Sequence, residues 1–398
     1  MSLSDLRVMV VEDHGFQRRM ALRLLVEAGV GATSEAADGA EALELLRTLA
    51  QPPDVLLVDL DMPGMDGVEF IGHVAQHRLA RAIALVSALD SAVLNTVQTM
   101  ARAYGMRVLG GIEKPLTSGK LHALLESYDA SLQFQDDDEA VDVTLDEIRT
   151  AMLRGDLAAW FQPQVEFGNG RVVAVEALAR LRRDDGRMIS ANHFVPMLER
   201  EGYAQHLTDS MLEQACRWKR RWDDEGLHLH VSVNVCSSTL GEPGAADHYQ
   251  QIVQDHGVDP SDVMLEITEG SLVTDAARGL GVLARLRLKG FGLSIDDFGT
   301  GYSSLAQLSQ IPFTELKIDQ DFVSGASAEP RKRAVIEASL DLARKLRLEV
   351  VAEGVETIED WQMLAELGCG MAQGYLIAAP TAGEEIPQAV ARWRRPEH

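Results

Sequence analysis

After residue 156 the chain repeats one pattern: an apolar run that turns polar at its end. The runs are "AAWFQPQV", "RVVAVEALAR", "LHVSVNV", "VMLEITE", "FGLSIDDFG", "ELKIDQDF", "LEVVAEGVE" and "CGMAQGYLIA". Helical patterns separate most of them. Eight such units over about 240 residues predict a (β/α)8 TIM-like barrel. Parallel barrel strands point the same way, so their polar ends converge on one face, where barrel enzymes keep their chemistry.

The residues delivered to that face are Glu176, Asn234, Glu266, Asp296 with Asp297, Lys317 with Asp319, Glu353 and Gln373. Any one of them alone reads as an ordinary surface or loop residue. Their recurrence at equivalent strand positions is the signal. Carboxylates gathered at one mouth repel unless cations neutralise them. The set is all oxygen with one amide and no cysteine or histidine, which suits Mg2+ or Mn2+ rather than zinc. The stretch "LSIDDFGTGYSSL" places two carboxylates side by side where an apolar run stops. Either they are solvated loop residues or a cation sits between them. Two neighbouring aspartates at a strand end can serve two ions about 3.5–4 Å apart.

The N-terminal part alternates on a smaller scale. Apolar runs "LRVMVVED", "ATSEAA", "DVLLVDLD", "AIALVSAL" and "RVLGGIEK" are followed by amphipathic helical patterns. Such alternation predicts a doubly wound (βα)5 domain, with a parallel sheet covered on both faces and its site at the carboxyl ends of the strands. Leu22, Leu24 and Leu25 read as core. The fold class is therefore α/β throughout: a first domain over residues 5–127, a linker over 128–143 containing the acidic "FQDDDEAVD", and the barrel over 144–393. Thr144 and Glu147 fit a capping box that opens a helix, with Gly155 as its stop.

Composition excludes several classes. Lys plus Arg number 37 against 61 Asp plus Glu, a net charge of −24. So acidic a chain is a poor non-specific binder of nucleic acid or anionic membrane, and no DNA-binding motif is left over. No apolar stretch approaches the ~18 residues that span a bilayer, and acidic residues appear too early for a signal peptide. Cys216, Cys236 and Cys369 are too few and too scattered for a disulfide framework. A reducing cytoplasm is the expected location.

The barrel motifs are more specific than their chemistry alone. "VEALAR", "VNV", "LEITE", "DDFGTGYSSL", "LKIDQDF", "VAEGVE" and "AQGY" resemble, in order and rough spacing, the EAL family of cyclic-di-GMP phosphodiesterases over about residues 145–392. The resemblance implies hydrolysis of cyclic-di-GMP to linear pGpG with two Mg2+ or Mn2+ ions. It implies that Glu176, Asn234, Glu266 and Asp296 hold the first ion, and that Asp296, Asp297 and Glu353 hold the second. Glu353 and Lys317 would be catalytic, Lys317 by orienting the attacking water. Gln162, Arg180 and Gln373 would meet or support the substrate. Glu269 would anchor the "DFGTGYSS" loop, tying metal occupancy to a dimer interface, and Glu356 would assist. The competing reading is a catalytically inactive cyclic-di-GMP receptor that signals through a protein partner.

The first domain presents Glu12, Asp13, Asp59, Ser87 and Lys114 at or just past its strand ends. Carboxylates with one hydroxyl and one lysine suit Mg2+-assisted phosphoryl transfer to an aspartate. The pattern resembles a response-regulator receiver. That implies Asp59 as phosphoacceptor, Glu12 and Asp13 as Mg2+ ligands, Ser87 and Lys114 as the switch pair, a cis Lys114–Pro115 bond, and a cognate sensor histidine kinase. Receivers usually carry an aromatic switch residue where this chain has Gly111, so the signal must leave by another surface. A receiver joined to an EAL domain resembles two-component regulators that assemble as homo-oligomers, dimers or tetramers, through their EAL domains.

Overall fold

The computed structural model describes residues 3–49, 51–77, 79–88, 91–133, 143–183, 185–242, 244–269, 276–299, 308 and 310–396. Contacts divide the chain into two compact units, Met1–Glu139 and Ala140–His398.

In the first unit, strands β1 (Arg7–Val11), β2 (Ala32–Ala36), β3 (Val55–Asp59), β4 (Ala82–Ser87) and β5 (Arg107–Glu113) form a parallel sheet in the order β2-β1-β3-β4-β5. β3 and β4 are buried along their whole length, which is why their sequences read as unbroken apolar runs. Helices α1 (Gly15–Glu27), α2 (Gly39–Thr48), α3 (Gly67–His77), α4 (Ser91–Ala103) and α5 (Ser118–Gln133) complete the doubly wound fold. Separate apolar cores flank the two faces of the sheet. Leu25 is buried in one of them, with Leu22 and Leu24 packed against it. α5 runs into the stretch expected to be linker; the acidic segment 134–142 lies outside the described residues.

Gly111 has a structural consequence. A Cβ added there would lie 2.9 Å from Gln98 Nε2 and 3.3 Å from Leu94 Cδ2. α4 thus lies close over β5 in the space an aromatic switch residue would need. The Lys114–Pro115 bond is cis.

The second unit opens with α6 (Leu145–Arg154). Thr144 and Glu147 form the expected capping box, and Gly155 ends the helix in the left-handed region. Strands β6 (Leu157–Glu166), β7 (Val172–Arg182), the short β8 (Met188–Ser190), β9 (His230–Asn234), β10 (Val263–Thr268), β11 (Gly292–Phe298), β12 (Glu315–Ile318), β13 (Glu349–Ala352) and β14 (Met371–Gln373) follow, with β15 (Thr381–Ala382) at the margin. The order β6-β14-β13-β12-β11-β10-β9-β7, with β7 pairing back to β6, closes a barrel of eight strands. One detail departs from the all-parallel expectation. β6 is antiparallel to both β7 and β14, because it forms a hairpin with β7 through the turn 167–171. Among the helices outside the barrel are α7 (Val195–Arg200), α8 (Ala204–Asp224), α9 (Ala245–Asp255) and α10 (Ala276–Leu288), followed by helices Pro330–Leu346 and Ile358–Leu367. No described helix is long and apolar enough to cross a membrane.

Candidate active site

The barrel's polar strand ends meet around Lys317. Its side chain is 0% exposed. Its Nζ lies 2.6 Å from Glu353 Oε1, 2.8 Å from Glu266 Oε2, 3.1 Å from Glu176 Oε2 and 3.5 Å from Asp296 Oδ1. Period-2 alternation explains the convergence: Lys317, Glu266, Glu176 and Asp296 occupy inward positions on β12, β10, β7 and β11. Glu353 follows β13. Asn234, at the end of β9, donates to Glu176 Oε1 at 2.8 Å and lies 3.4 Å from Glu266 Oε2.

Successive strand residues normally face opposite ways, yet Asp296 and Asp297 both line the same cavity. A register shift in the β11–β12 pairing after Ile295 and a left-handed φ of 56° at Asp297 break the alternation. Aspartate tolerates that conformation better than most non-glycine residues. Oxygens of Asp296, Asp297 and Glu353 lie within 4.8 Å of one another.

The electrostatics are those of a crowded anionic ring with one cation. Burial works against a charged Lys317, but Asp296, Glu176, Glu266 and Glu353 carry its pKa well above the usual lysine value. The carboxyls cannot all share that benefit. Burial and the neighbouring Glu176 push Glu266 well up against the opposing pull of Lys317. Burial drives Glu353 to about 8. Asp297 rises to about 7 through burial, Asp296 and Asp319. Glu176 goes the other way, because Lys317 and a hydrogen bond from Gln373 outweigh its burial. Glu266 Oε1 is buried without a hydrogen-bond partner among the described residues. An excess of carboxylates, an orphaned carboxylate oxygen and an all-oxygen donor set fit divalent cations.

The flanking amides are ordered. Gln373 Nε2 donates to Glu176 Oε2 at 2.6 Å and to Gln162 Oε1 at 3.0 Å, while its own Oε1 accepts from Gln164 at 2.8 Å. Gln162 donates to the Ala378 carbonyl. Glu269 Oε2 accepts the Gly299 N–H at 2.9 Å and so ties the end of β10 to the start of the glycine-rich loop; residues 300–307 of that loop lie outside the described residues. Glu356 lies on the cavity wall, exposed. Arg180 does not line the cavity; half-buried farther along β7, it donates to the Ala179 carbonyl.

The cavity has a volume of about 720 Å³, within the range of small-molecule sites. Asn192, Glu199 and Tyr375 contribute to its wall without having been singled out. Asn192 and Glu199 follow the short β8, outside the strand-end pattern. Tyr375 follows "AQG" and could have been found from that motif. Asp319, named at a strand end but given no part, lies on the wall close enough to perturb Asp297.

The first unit holds a second acidic cluster. Lys114 Nζ lies 2.7 Å from Asp59 Oδ2 and 2.9 Å from Glu12 Oε2. Burial opposes the charge on Lys114, but its hydrogen bonds to Asp59 and Glu12 raise its pKa. Oxygens of Glu12, Asp13 and Asp59 come close enough to share one cation. Ser87 is buried at the end of β4.

Fold, sites and sequence together define a two-component regulator architecture: a receiver followed by a barrel with an acidic, cation-ready mouth. The response regulator receiver domain family matches residues 8–126 and the EAL domain family matches residues 145–380, and the chain belongs to the EAL family. It is similar to the cyclic di-GMP phosphodiesterase RocR of Pseudomonas aeruginosa, with 34% identity over 95% of this chain and 97% of that protein. It is also similar to MucR of the same organism, a bifunctional diguanylate cyclase and cyclic di-GMP phosphodiesterase, at 36% identity over 62% of this chain and 36% of MucR. The solved structure of the MucR phosphodiesterase in complex with c-di-GMP superposes with a TM-score of 0.58, covering 61% of this chain and 98% of that one.

Proposed function

We propose that residues 144–393 hydrolyse cyclic-di-GMP to linear pGpG, controlled through the receiver over residues 5–127. One observation carries this reading: carboxylates from four strands and an amide from a fifth surround a buried lysine at a cavity large enough for a small molecule.

Cyclic-di-GMP carries two phosphodiester anions, which a bare acidic mouth would repel. Glu176, Asn234, Glu266 and Asp296 would hold one Mg2+ or Mn2+ ion, and Asp296, Asp297 and Glu353 a second. Bound there, the ions would make the mouth positive, lower the pKa of a bound water and stabilise charge on the phosphoryl oxygens. The protein's own groups then have defined tasks. Lys317 orients the attacking water, and Glu353 manages its proton. Gln373 holds Gln162 and Glu176 in register; Gln162 meets the substrate, and Arg180 would do so by turning its guanidinium from the Ala179 carbonyl into the cavity. The Glu269 carboxylate fixes the start of the glycine-rich loop, through which EAL–EAL contacts in a homo-oligomer would reach the ions, with Glu356 assisting. In the receiver, Asp59 takes a phosphoryl group from a sensor histidine kinase, with Mg2+ at Glu12 and Asp13 and with Ser87 and Lys114 reading the new charge.

The test is an assay of the full chain with cyclic-di-GMP in Mg2+, after chelation, and with a beryllofluoride mimic of phosphate on Asp59. pGpG should form with Mg2+, disappear on chelation and change in rate with the mimic. Tight dinucleotide binding with Mg2+ but no pGpG would overturn the proposal in favour of a receptor.

A further inference from the structure

The barrel interior remains polar below the Lys317 ring. Residues two positions back along a strand face the same way, so Ser232, Ser294 and Glu315 lie one tier beneath Asn234, Asp296 and Lys317. Barrel tiers of this kind are usually filled with branched apolar side chains. Here Ser294 is 0% exposed and Glu315 3%. The two are register partners on β11 and β12, and the Ser294 hydroxyl is near enough to act on the Glu315 carboxyl. Yet Ser294 Oγ and Glu315 Oε1 both lack a hydrogen-bond partner among the described residues. Adjacent buried polar atoms are rarely left in that condition.

Glu315 also differs in role from the carboxylates above it. Glu176, Glu266, Asp296 and Glu353 ion-pair directly with Lys317. Glu315 feels the charge of Lys317 without making such a contact. On the two-ion reading given above, the four upper carboxylates turn toward the ions. Glu315 is then the remaining acid on Lys317's own strand, and it approaches from below.

We propose that Ser294 and Glu315 hold a buried water beneath Lys317, and that Glu315 acts through it as a positioning residue that keeps the ammonium seated while the upper carboxylates engage the ions. A buried water takes two to four polar partners; Ser294 Oγ and Glu315 Oε1 supply two, and the Lys317 ammonium, whose three N–H groups face Glu353, Glu266 and Glu176 here, supplies a third once those carboxylates turn to the ions. This inference rests on the two-ion reading for its purpose but on the orphaned pair for its place.

The test compares the full-length wild type with Glu315→Met, Glu315→Gln and Ser294→Ala. High-resolution crystal structures locate the water and Lys317 Nζ, and steady-state kinetics with cyclic-di-GMP and thermal melting complete the set. Wild type should show a water within hydrogen-bond distance of both orphaned atoms. Glu315→Met should melt no lower than wild type, since an apolar side chain of similar volume replaces a buried acid. It should lose the water and shift Lys317. Its kcat should fall about ten- to a hundredfold with KM nearly unchanged. Glu315→Gln, which can still hold the water, should keep most of the rate. Activity lost without stability lost is a signature that a merely structural residue does not give. The proposal is overturned if wild type has no such water, or if Lys317 stays in place in Glu315→Met at full kcat. Should Glu315→Met fail to fold, Ser294→Ala decides, with loss of the water and of rate expected. A wild type that binds the water but makes no pGpG would defeat the proposed function, while the Lys317 position in the variants would still decide this inference.

Discussion

Lys114 in the receiver and Lys317 in the barrel sit in the same kind of surroundings at different depths. Lys114 has a side chain 17% exposed and two carboxylate partners. Lys317 has no exposure and four. Near the surface, water can replace a lost partner, so Lys114 is free to turn toward a new anion. In the barrel interior nothing but another cation can compensate the ring. The same residue types therefore suit a reversible switch in one unit and a fixed catalytic array in the other. Depth, more than composition, separates the two sites.

Replacing the lysines should expose that contrast most strongly. In chelated protein, Lys317→Met leaves uncompensated buried carboxylates and should destabilise the barrel by about 3–5 kcal/mol. Turnover should vanish, whereas added Mg2+ should restore much of the stability. Lys114→Met strands two carboxylates rather than four, Asp59 and Glu12, with side chains 3% and 7% exposed, and should cost the receiver less, about 1–3 kcal/mol. Thermal or urea melts with and without Mg2+ measure both, and equal losses in the two units would break the comparison. Next in size, Glu353→Gln keeps the shape of the side chain but removes its charge. It should lower turnover by about 10²–10⁴-fold while dinucleotide binding, read by calorimetry, persists. Full turnover in this variant would remove Glu353 from the chemistry.

A pH effect follows from the same burial. Asp297 rises to about 7 and Glu353 to about 8 in the folded protein without ions, against about 4 in an unfolded chain. The folded state thus binds protons that the unfolded state has released. This contribution to stability is fully present below about pH 4 and is lost as pH rises through about 7 to 8. Chelated protein should therefore melt at lower temperature as pH climbs across that window. Saturating Mg2+ should flatten the dependence, because ions take over from protons at the carboxylates. A chelated protein whose melting temperature rises from pH 5 to 8 would contradict the ring described here.

The recurrence of polar residues at strand ends made much of this array legible. Glu176, Asn234, Glu266, Asp296, Lys317, Glu353 and Gln373 are in fact tied together by direct contacts. Periodicity says which face a side chain takes but not which way its strand runs, so the reversal of β6 was invisible. Polar residues inside a strand pattern normally signal solvent, so Gln164, Ser294 and Glu315 gave no hint of a buried tier. The bend that turns Asp297 toward Asp296 is a backbone event that no side-chain pattern records. Arg180, which its motif would set beside the substrate, has its guanidinium on the carbonyl of Ala179, itself a cavity-wall residue, a side-chain orientation that no sequence pattern records.

The smallest predicted effect lies in the receiver, at Gly111. The close approach of Gln98 and Leu94 leaves little room for even one methyl. Gln98 can yield at the flexible end of its side chain, but buried Leu94 is held in the core beneath α4. Gly111→Ala should therefore cost the receiver about 1 kcal/mol or somewhat more, the lower end of overpacking, and leave pGpG formation by the unphosphorylated protein unchanged. Gly111→Tyr, which restores the aromatic usual at this position, must displace α4 and should cost more. If α4 is the element through which phosphorylation of Asp59 leaves the receiver, the two variants should blunt the response to beryllofluoride in proportion to their size. An undiminished response in Gly111→Tyr would move the output to another face of the receiver.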